Sequence, residues 1–102
     1  MTDAQINEAI AETCGWTQIN AVHRSGKAPN ADYVGVEFIP DYCGDLNAMH
    51  EAEKVIKDKE LLFEYGMHIS NSHHYEYLLR ATARERAEAF LRTLGKWEEV
   101  QG

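Results

Sequence analysis

The chain has 102 residues, of which 44% are hydrophobic and 26% charged, a composition typical of one ordinary globular domain. Its 17 acidic and 10 basic residues give a net charge of -7, which argues against binding nucleic acid over a broad face, because phosphate is repelled by such a field. A small basic pocket is still compatible with this charge. We interpret residues 1–102 as a single domain whose residues 98–102 are frayed.

The compartment is indicated by what the sequence lacks. No apolar run approaches the length needed to span a bilayer, and the first residues do not form a basic region followed by an apolar one. The two cysteines, Cys14 and Cys43, are too few for a disulfide framework. We therefore expect a cytoplasmic protein that does not associate with a membrane.

A capping box at Thr2 and Gln5 predicts the start of the first helix, because the Thr hydroxyl can accept from the backbone N–H three residues on while the Gln side chain reaches back. Ile6 and Ile10 follow at helical spacing. Gly15 provides the left-handed residue that ends the helix.

Two strands are predicted next, over residues 16–24 and 33–39. Turn-forming residues dominate residues 25–32, which we interpret as an exposed loop between the strands. One face of the second strand is predicted to carry Val34, Val36 and Phe38.

A helix is predicted after Pro40, which stops the strand because it has no N–H, and Asp45 is placed to cap that helix. The apolar positions predicted to face inward are Leu46, Met49, Ala52, Val55 and Ile56. The charged residues predicted to lie mostly outward are Glu51, Glu53, Lys54 and Lys57. The helical pattern then resumes and ends at Gly66, and the sequence leaves open whether residues 46–66 form one bent helix or two.

Alternation of apolar and polar residues over 75–79 predicts a third strand. A second capping box, at Thr82 and Glu85, begins the helix with the clearest amphipathic stripe, which ends at Gly95. We therefore predict an α+β fold of the α/β/α sandwich type, in which a small three-stranded, largely antiparallel sheet is covered by three to four helices.

The residues with catalytic potential do not form a familiar constellation. His73 and His74 are adjacent on the predicted strand and so point to opposite faces, and no cysteine or carboxylate joins them at a metal-binding spacing. Cys43 lies near Asp41 and Asp45, and neighbouring carboxylates raise a thiol pKa rather than lowering it. We predict no catalytic residues, no metal and no cofactor.

The start of the last helix is the better candidate for a ligand site. Arg80 and Arg84 flank Thr82 there, free N–H groups and the helix dipole favour a phosphate, and His74 could lie close by. The alternative is that Thr82 is only a cap and that the arginines pair with surface carboxylates. Two basic residues of the strand connection complete the set of candidate ligand or anion contacts: Arg24, Lys27, His74, Arg80, Thr82 and Arg84.

Three stretches carry a resemblance to a known family: residues 6–16 (INEAIAETCGW), 40–54 (PDYCGDLNAMHEAEK) and 81–97 (ATARERAEAFLRTLGKW). Together they resemble the phage ABA sandwich domain family, small proteins of bacteriophages and prophages. The resemblance implies a helix, sheet, helix sandwich and action in the cytoplasm of an infected bacterial host. It implies no catalytic residues.

The expected function is that of a small phage-encoded, non-enzymatic binding protein. As a counter-defence factor it would sequester a signalling nucleotide or block a host protein. The alternative is a structural or assembly protein that forms a homo-oligomer without a small-molecule ligand. A small hydrolase or metalloenzyme ranks third, because it needs a metal or a reactive thiol.

Overall fold

A computed structural model describes residues 1–20, 22–29, 36–70 and 80–99. Within these residues the complete helices are α1 (Asp3–Thr13), α2 (Leu46–Glu53), α3 (Lys59–Ser70) and α4 (Ala83–Thr93). The strands described are β1 (Thr17–Asn20), β2 (Ser25–Lys27) and β3 (Glu37–Phe38), which form one antiparallel sheet in the order β1-β2-β3. The predicted α+β fold, with helices packing on a small three-stranded sheet, is confirmed.

The first two strands form a tight hairpin, so the prediction of an exposed loop over residues 25–32 is wrong at its start. Ser25 pairs with Asn20 on β1 and with Phe38 on β3. The Asn20 side chain accepts from the backbone N–H groups of Val22 (3.0 Å) and His23 (3.2 Å), which closes the turn immediately after β1. The predicted first strand, residues 16–24, is therefore divided between β1 and this turn.

Gly26 explains why a segment with the composition of a loop forms a central strand. A Cβ atom at this position would lie 3.1 Å from the backbone oxygen of Thr17, 3.3 Å from Cγ1 of Ile19 and 3.4 Å from the Trp16 ring. The absence of a side chain lets β1 and Trp16 approach β2 closely. A residue that weakens a strand in isolation is required here by its neighbours.

Helix α1 has the predicted ends. Thr2 and Gln5 form the capping box in both directions, with bonds of 2.9 and 3.2 Å. Gly15 adopts a φ of 98°, which glycine tolerates without strain, and the Trp16 N–H then donates to the Ala11 carbonyl at 3.0 Å. The helix buries Ile6 and Ile10 and contacts β1.

The segment after Pro40 forms two helices. Asp45 caps α2 through the N–H groups of Asn47 and Ala48, as predicted. Asp58 then accepts from the N–H groups of Glu60 (2.8 Å) and Leu61 (3.3 Å), which starts α3 as a separate helix.

Two details of this segment differ from the prediction. Helix α3 passes through Gly66 and ends at Ser70, because Tyr65 and Ile69 are buried one turn apart and their packing outweighs the cost of a glycine in a helix, about 1 kcal/mol. Leu46 and Val55, predicted to face inward, are 42% and 39% exposed. Leu46 is the first residue of α2 and Val55 lies just beyond its last residue, and at both ends the helical periodicity no longer determines burial.

Helix α4 is the centre of the helical layer, since α1, α2 and α3 all contact it. Its capping box at Thr82 and Glu85 is formed as predicted, and Phe90 and Leu91 are fully buried. Gly95 has a φ of 71° and follows the last turn, as predicted for a helix end. The buried core consists of Ile6, Ile10, Ala11, Tyr42, Met49, Ala52, Ile56, Tyr65, Ile69, Ala81, Ala83, Ala87, Ala89, Phe90 and Leu91.

Two predictions fall partly or wholly outside the described residues. The third strand predicted over 75–79 lies wholly outside the described residues. Of the strand predicted over 33–39, residues 33–35 lie outside them and β3 covers Glu37–Phe38. The division into a single domain with a frayed end at 98–102 stays a prediction.

Candidate functional site

The candidate anion site at the start of α4 already contains a carboxylate. The Thr82 hydroxyl accepts from the Glu85 N–H at 3.1 Å, and the Glu85 side chain accepts from the Thr82 N–H at 3.1 Å. The capping box thus places negative charge at the N-terminus of the helix, where the helix dipole favours it. A phosphate at this position would have to displace Glu85.

Arg84 is engaged on both sides of its helix. The Nε of Arg84 donates to Asp3 at 3.2 Å, and its Nη1 lies 3.5 Å from a carboxylate oxygen of Glu88. Its guanidinium lies 5.5 Å from the centre of the Trp97 ring. These contacts tie α4 to the start of α1 and to the segment that follows α4. They match the alternative in which the arginines of this helix pair with surface carboxylates.

The six residues predicted to contact a ligand or anion do not lie on one helix or strand. Thr82 and Arg84 share the first turn of α4, with Arg80 exposed just before it, and His74 lies outside the described residues. Arg24 and Lys27 lie instead on the β1–β2 hairpin. The Arg24 carbonyl accepts from the Ile39 N–H at 2.8 Å, and Lys27 pairs with Thr17 across the sheet.

Sequence reasoning missed the main polar cluster of the interior, which joins α2, α3 and α4. The Glu53 carboxylate accepts a short hydrogen bond from the Tyr65 hydroxyl and a charged hydrogen bond from Arg86 at 3.0 Å. It also lies 2.8 Å from Nδ1 of His50. The side chains of Glu53 and Arg86 are only 17% and 13% exposed. The prediction that Glu53 lies outward is therefore wrong, because Tyr65 and Arg86 are two partners that a buried carboxylate needs.

The surroundings of Tyr65 in this polar cluster keep its phenol protonated. Burial raises the pKa of Tyr65, and the hydrogen bond to Glu53 raises it further, so the phenol remains a proton donor. Arg86 also donates to the Ala81 carbonyl at 3.4 Å, at the end of the chain segment that leads into α4. One available signal was that Arg86 stands four residues before the buried Phe90, on the same face of the helix.

Both thiols are poorly disposed to act as nucleophiles. Burial raises the pKa of Cys43 to about 11, and the nearby charge of Asp3 adds to this effect. Burial also raises the pKa of Cys14. Since the thiolate is the reactive form, these environments suppress nucleophilic chemistry at neutral pH, as the sequence predicted for Cys43.

A cleft of about 440 Å³ lies beside the segment that follows α4, and it is lined by Glu64, His68, Arg92, Gly95, Trp97 and Glu99. Arg92 stacks 4.8 Å from the centre of the Trp97 ring, and its guanidinium also donates to Glu88 and Glu99 at 3.2 and 3.1 Å. The Trp97 indole N–H donates to Glu99 as well, at 3.1 Å. The polar groups of this cleft are thus largely satisfied by one another.

Within the described parts of the chain, no group of three or more His, Cys, Asp or Glu residues could hold a metal ion. His50 and His68 each approach a carboxylate of their own helix, Glu53 and Glu64. His73 and His74 lie outside the described residues. In the described part of the chain, none of the helices is long and apolar enough to cross a bilayer.

Two groups of described residues expose large apolar side chains. On β3 and just before it, Phe38 is 82% exposed and Val36 67% exposed, and Val22 in the hairpin turn is 85% exposed. A second group lies on α3, where Leu62, Phe63 and Met67 are 43%, 72% and 40% exposed. Clustered exposed apolar side chains indicate interaction surfaces more often than isolated ones do.

Comparison of the chain with protein-family models, with curated proteins and with solved structures found no match.

Proposed function

We propose that this is a small phage-encoded protein that acts by binding a host protein in the cytoplasm of the infected bacterium, without catalysing a reaction. The observation that supports this best is the exposure of Val22, Val36 and Phe38 at and beside the sheet, because exposed apolar side chains that lie together indicate an interaction surface. The phage origin rests on the resemblance of three segments to the phage ABA sandwich domain family.

The chemistry of the described residues favours binding over catalysis. The pKa of the Cys43 thiol is raised by burial, and the polar side chains of the interior are committed to one another through Glu53. A nucleophile or general base needs a pKa tuned toward neutrality, whereas the pKa values of Cys43 and Tyr65 are moved away from it.

Blocking a host protein is better supported than sequestering a nucleotide. Arg84 and the first turn of α4 are occupied by Asp3, Glu88 and Glu85. A nucleotide phosphate would have to compete with three carboxylates of the same chain. The apolar surface at the sheet has no such internal competitor among the contacts described.

Homo-oligomer formation is the second candidate, and the apolar stripe on α3 favours it. Leu62, Phe63 and Met67 lie within two turns, a spacing that suits helix packing between copies. Light scattering over a range of protein concentrations distinguishes the two candidates: a monomer is expected if the protein acts on a host partner, and a stable dimer or larger assembly supports the structural alternative.

The proposed function is tested by cross-linking in bacterial cells that express the tagged protein, followed by mass spectrometry of the captured products. The comparison is between the wild type, the double variant Val36→Ser/Phe38→Ser and the control Leu62→Ser/Phe63→Ser. We expect one host protein to be enriched by the wild type and by the control but lost with the sheet variant. The absence of any specific product contradicts the proposal, whereas capture that the sheet variant retains contradicts only the sheet as the binding surface.

A further inference from the structure

The two faces of the small sheet differ in what they contact. Gly26 faces inward, because Trp16 and Ile19 lie against the position of its missing Cβ atom and both pack on the core. Directly paired residues point to the same face and successive residues to opposite faces. Ser25 and its partner Phe38 therefore face outward, away from Trp16 and Ile19.

The outer face continues along both strands. Lys27 follows Ser25 by two residues on β2, and Val36, the residue just before β3, precedes Phe38 by two, so continued alternation places both on the outer side. Val36 and Phe38 are 67% and 82% exposed. We call Lys27, Val36 and Phe38, with Val22 and Arg24 of the adjoining turn, the outer sheet surface.

The charge of the β1–β2 hairpin is opposite to the net charge of the chain, whereas β3 carries the exposed Glu37. Although the protein carries a net charge of -7, no acidic residue occurs between Glu12 and Asp32, a stretch that contains β1, the turn and β2. Arg24 and Lys27 are the charged side chains of that stretch. Neither Arg24 nor Lys27 forms an ion pair with another described residue, whereas Arg84, Arg86 and Arg92 are each paired with a carboxylate.

Resting on the proposed function, we propose that the outer sheet surface binds an acidic and apolar segment of the partner protein. Phe38, Val36 and Val22 provide apolar contact area, and Arg24 and Lys27 pair with carboxylates of the segment. Charge complementarity selects the partner, because an acidic protein repels acidic surfaces everywhere except at its basic region. Apolar contacts flanked by charges give both affinity and orientation.

A protein segment is favoured over a nucleic acid by the same observations. The overall field of the chain is negative and two cations make a small footprint, whereas nucleic-acid binding requires several phosphate contacts. The apolar side chains of the outer sheet surface are two valines and one aromatic residue, Phe38. These side chains match apolar residues of a peptide better than a row of bases.

The test measures fluorescence anisotropy of a labelled peptide in which Glu alternates with Ile and Phe. The comparison probes are a peptide with Lys in place of Glu and a labelled single-stranded DNA oligonucleotide. We expect the acidic peptide to bind wild-type protein, Phe38→Ser and Lys27→Glu each to weaken it by about tenfold, and Phe63→Ser on α3 to leave it unchanged. Circular dichroism of each variant checks that it is folded.

Several results would overturn the inference: no binding of the acidic peptide, equal binding by Phe38→Ser and wild type, or preference for the basic peptide or the oligonucleotide. Failure here is distinguishable from failure of the proposed function. If the cross-linking experiment captures a host protein whose contacts map to α3, this inference is wrong while the proposed function stands; if it captures none, the proposed function is wrong.

Discussion

Glu53 holds together three helices through a single carboxylate. It belongs to α2 and accepts from Tyr65 of α3 and from Arg86 of α4. A buried charge is tolerated when it is paired and hydrogen-bonded, and weakening such a pair costs stability. The stability of this junction therefore depends on the charge of Glu53.

We predict that Glu53→Gln lowers the free energy of unfolding by about 2 kcal/mol, because a neutral amide then replaces the largely buried carboxylate that accepts from both Tyr65 and Arg86. The measurement is urea unfolding followed by circular dichroism. Glu51→Gln is the matched control: it lies on the same helix, is 74% exposed and pairs with Lys54. The control should change stability by less than about 0.5 kcal/mol. Equal effects of the two substitutions would refute the role assigned to Glu53.

Cys43 gives a prediction for pH. Burial and the charge of Asp3 raise its pKa from 9.0 to about 11, so the folded state disfavours the thiolate. Since the folded pKa is raised, the stability contributed by the protonated thiol is complete below the pKa of the unfolded chain and is lost as pH rises from about 9 through about 11.

The same shift predicts slow alkylation. In a Cys14→Ala background, iodoacetamide should modify Cys43 at pH 8 roughly a hundredfold more slowly than it modifies a free thiol, because the thiolate fraction is smaller. The rate should then increase as the pH approaches 11. Modification of the unfolded protein in urea is the control, and its rate should be that of a free cysteine. A fast reaction of the folded protein at pH 8 would contradict the burial argument.

At the scale of elements, helix ends are determined by short-range contacts. The capping boxes at Thr2 and Thr82 each connect residues three apart, and Gly15 and Gly95 both have positive φ angles. These features could be predicted because every atom involved lies within one turn of the chain. Helix α4 depends most on its cap, since the other helices pack against it.

We predict that Thr82→Ala destabilises the protein by about 1 kcal/mol, because the Glu85 N–H loses its acceptor at the start of α4. Thr82→Ser keeps the hydroxyl and should retain most of the stability. Thermal and urea unfolding of the two variants measure the difference. If Ala and Ser are equally destabilising, the loss comes from the methyl group and the capping account is wrong.

The elements that could not be predicted depend on contacts distant in sequence. Strand β2, which contains Gly26, has the composition of a loop, and only the approach of Trp16 and Ile19 makes a strand favourable there. The burial of Glu53 depends on Arg86, which is 33 residues away in the chain. Local propensity contains no information on either contact.

Only part of the candidate site could be predicted, for the same reason. Arg24 and Lys27 were singled out as basic residues, but their position beside exposed Val36 and Phe38 follows from pairing between β2 and β3. The partners of Arg84 include Asp3, 81 residues earlier in the chain. A basic residue can be recognised in a sequence, whereas the carboxylate that pairs with it depends on the tertiary fold.

At the scale of the whole molecule, the two ends of the described chain lie together on the helical side. The N-terminal amine donates to the Glu98 carbonyl at 3.3 Å, and Trp97 contacts Arg84 and Arg92 of α4. The carboxylates Asp3, Glu88 and Glu99 surround these arginines. Arg84 and Arg92 of α4 are thus engaged by carboxylates of the same chain, whereas Arg24 and Lys27 of the hairpin form no ion pair with the described residues.

The central claim is that the protein acts by binding a protein partner through its sheet. Hydrogen–deuterium exchange of the protein, alone and with the host protein captured by cross-linking, tests this most directly. We predict slower exchange in peptides covering residues 16–29 and 36–39 when the partner is present, with α3 unchanged. Protection confined to α3, or no protection in any peptide, would contradict the account.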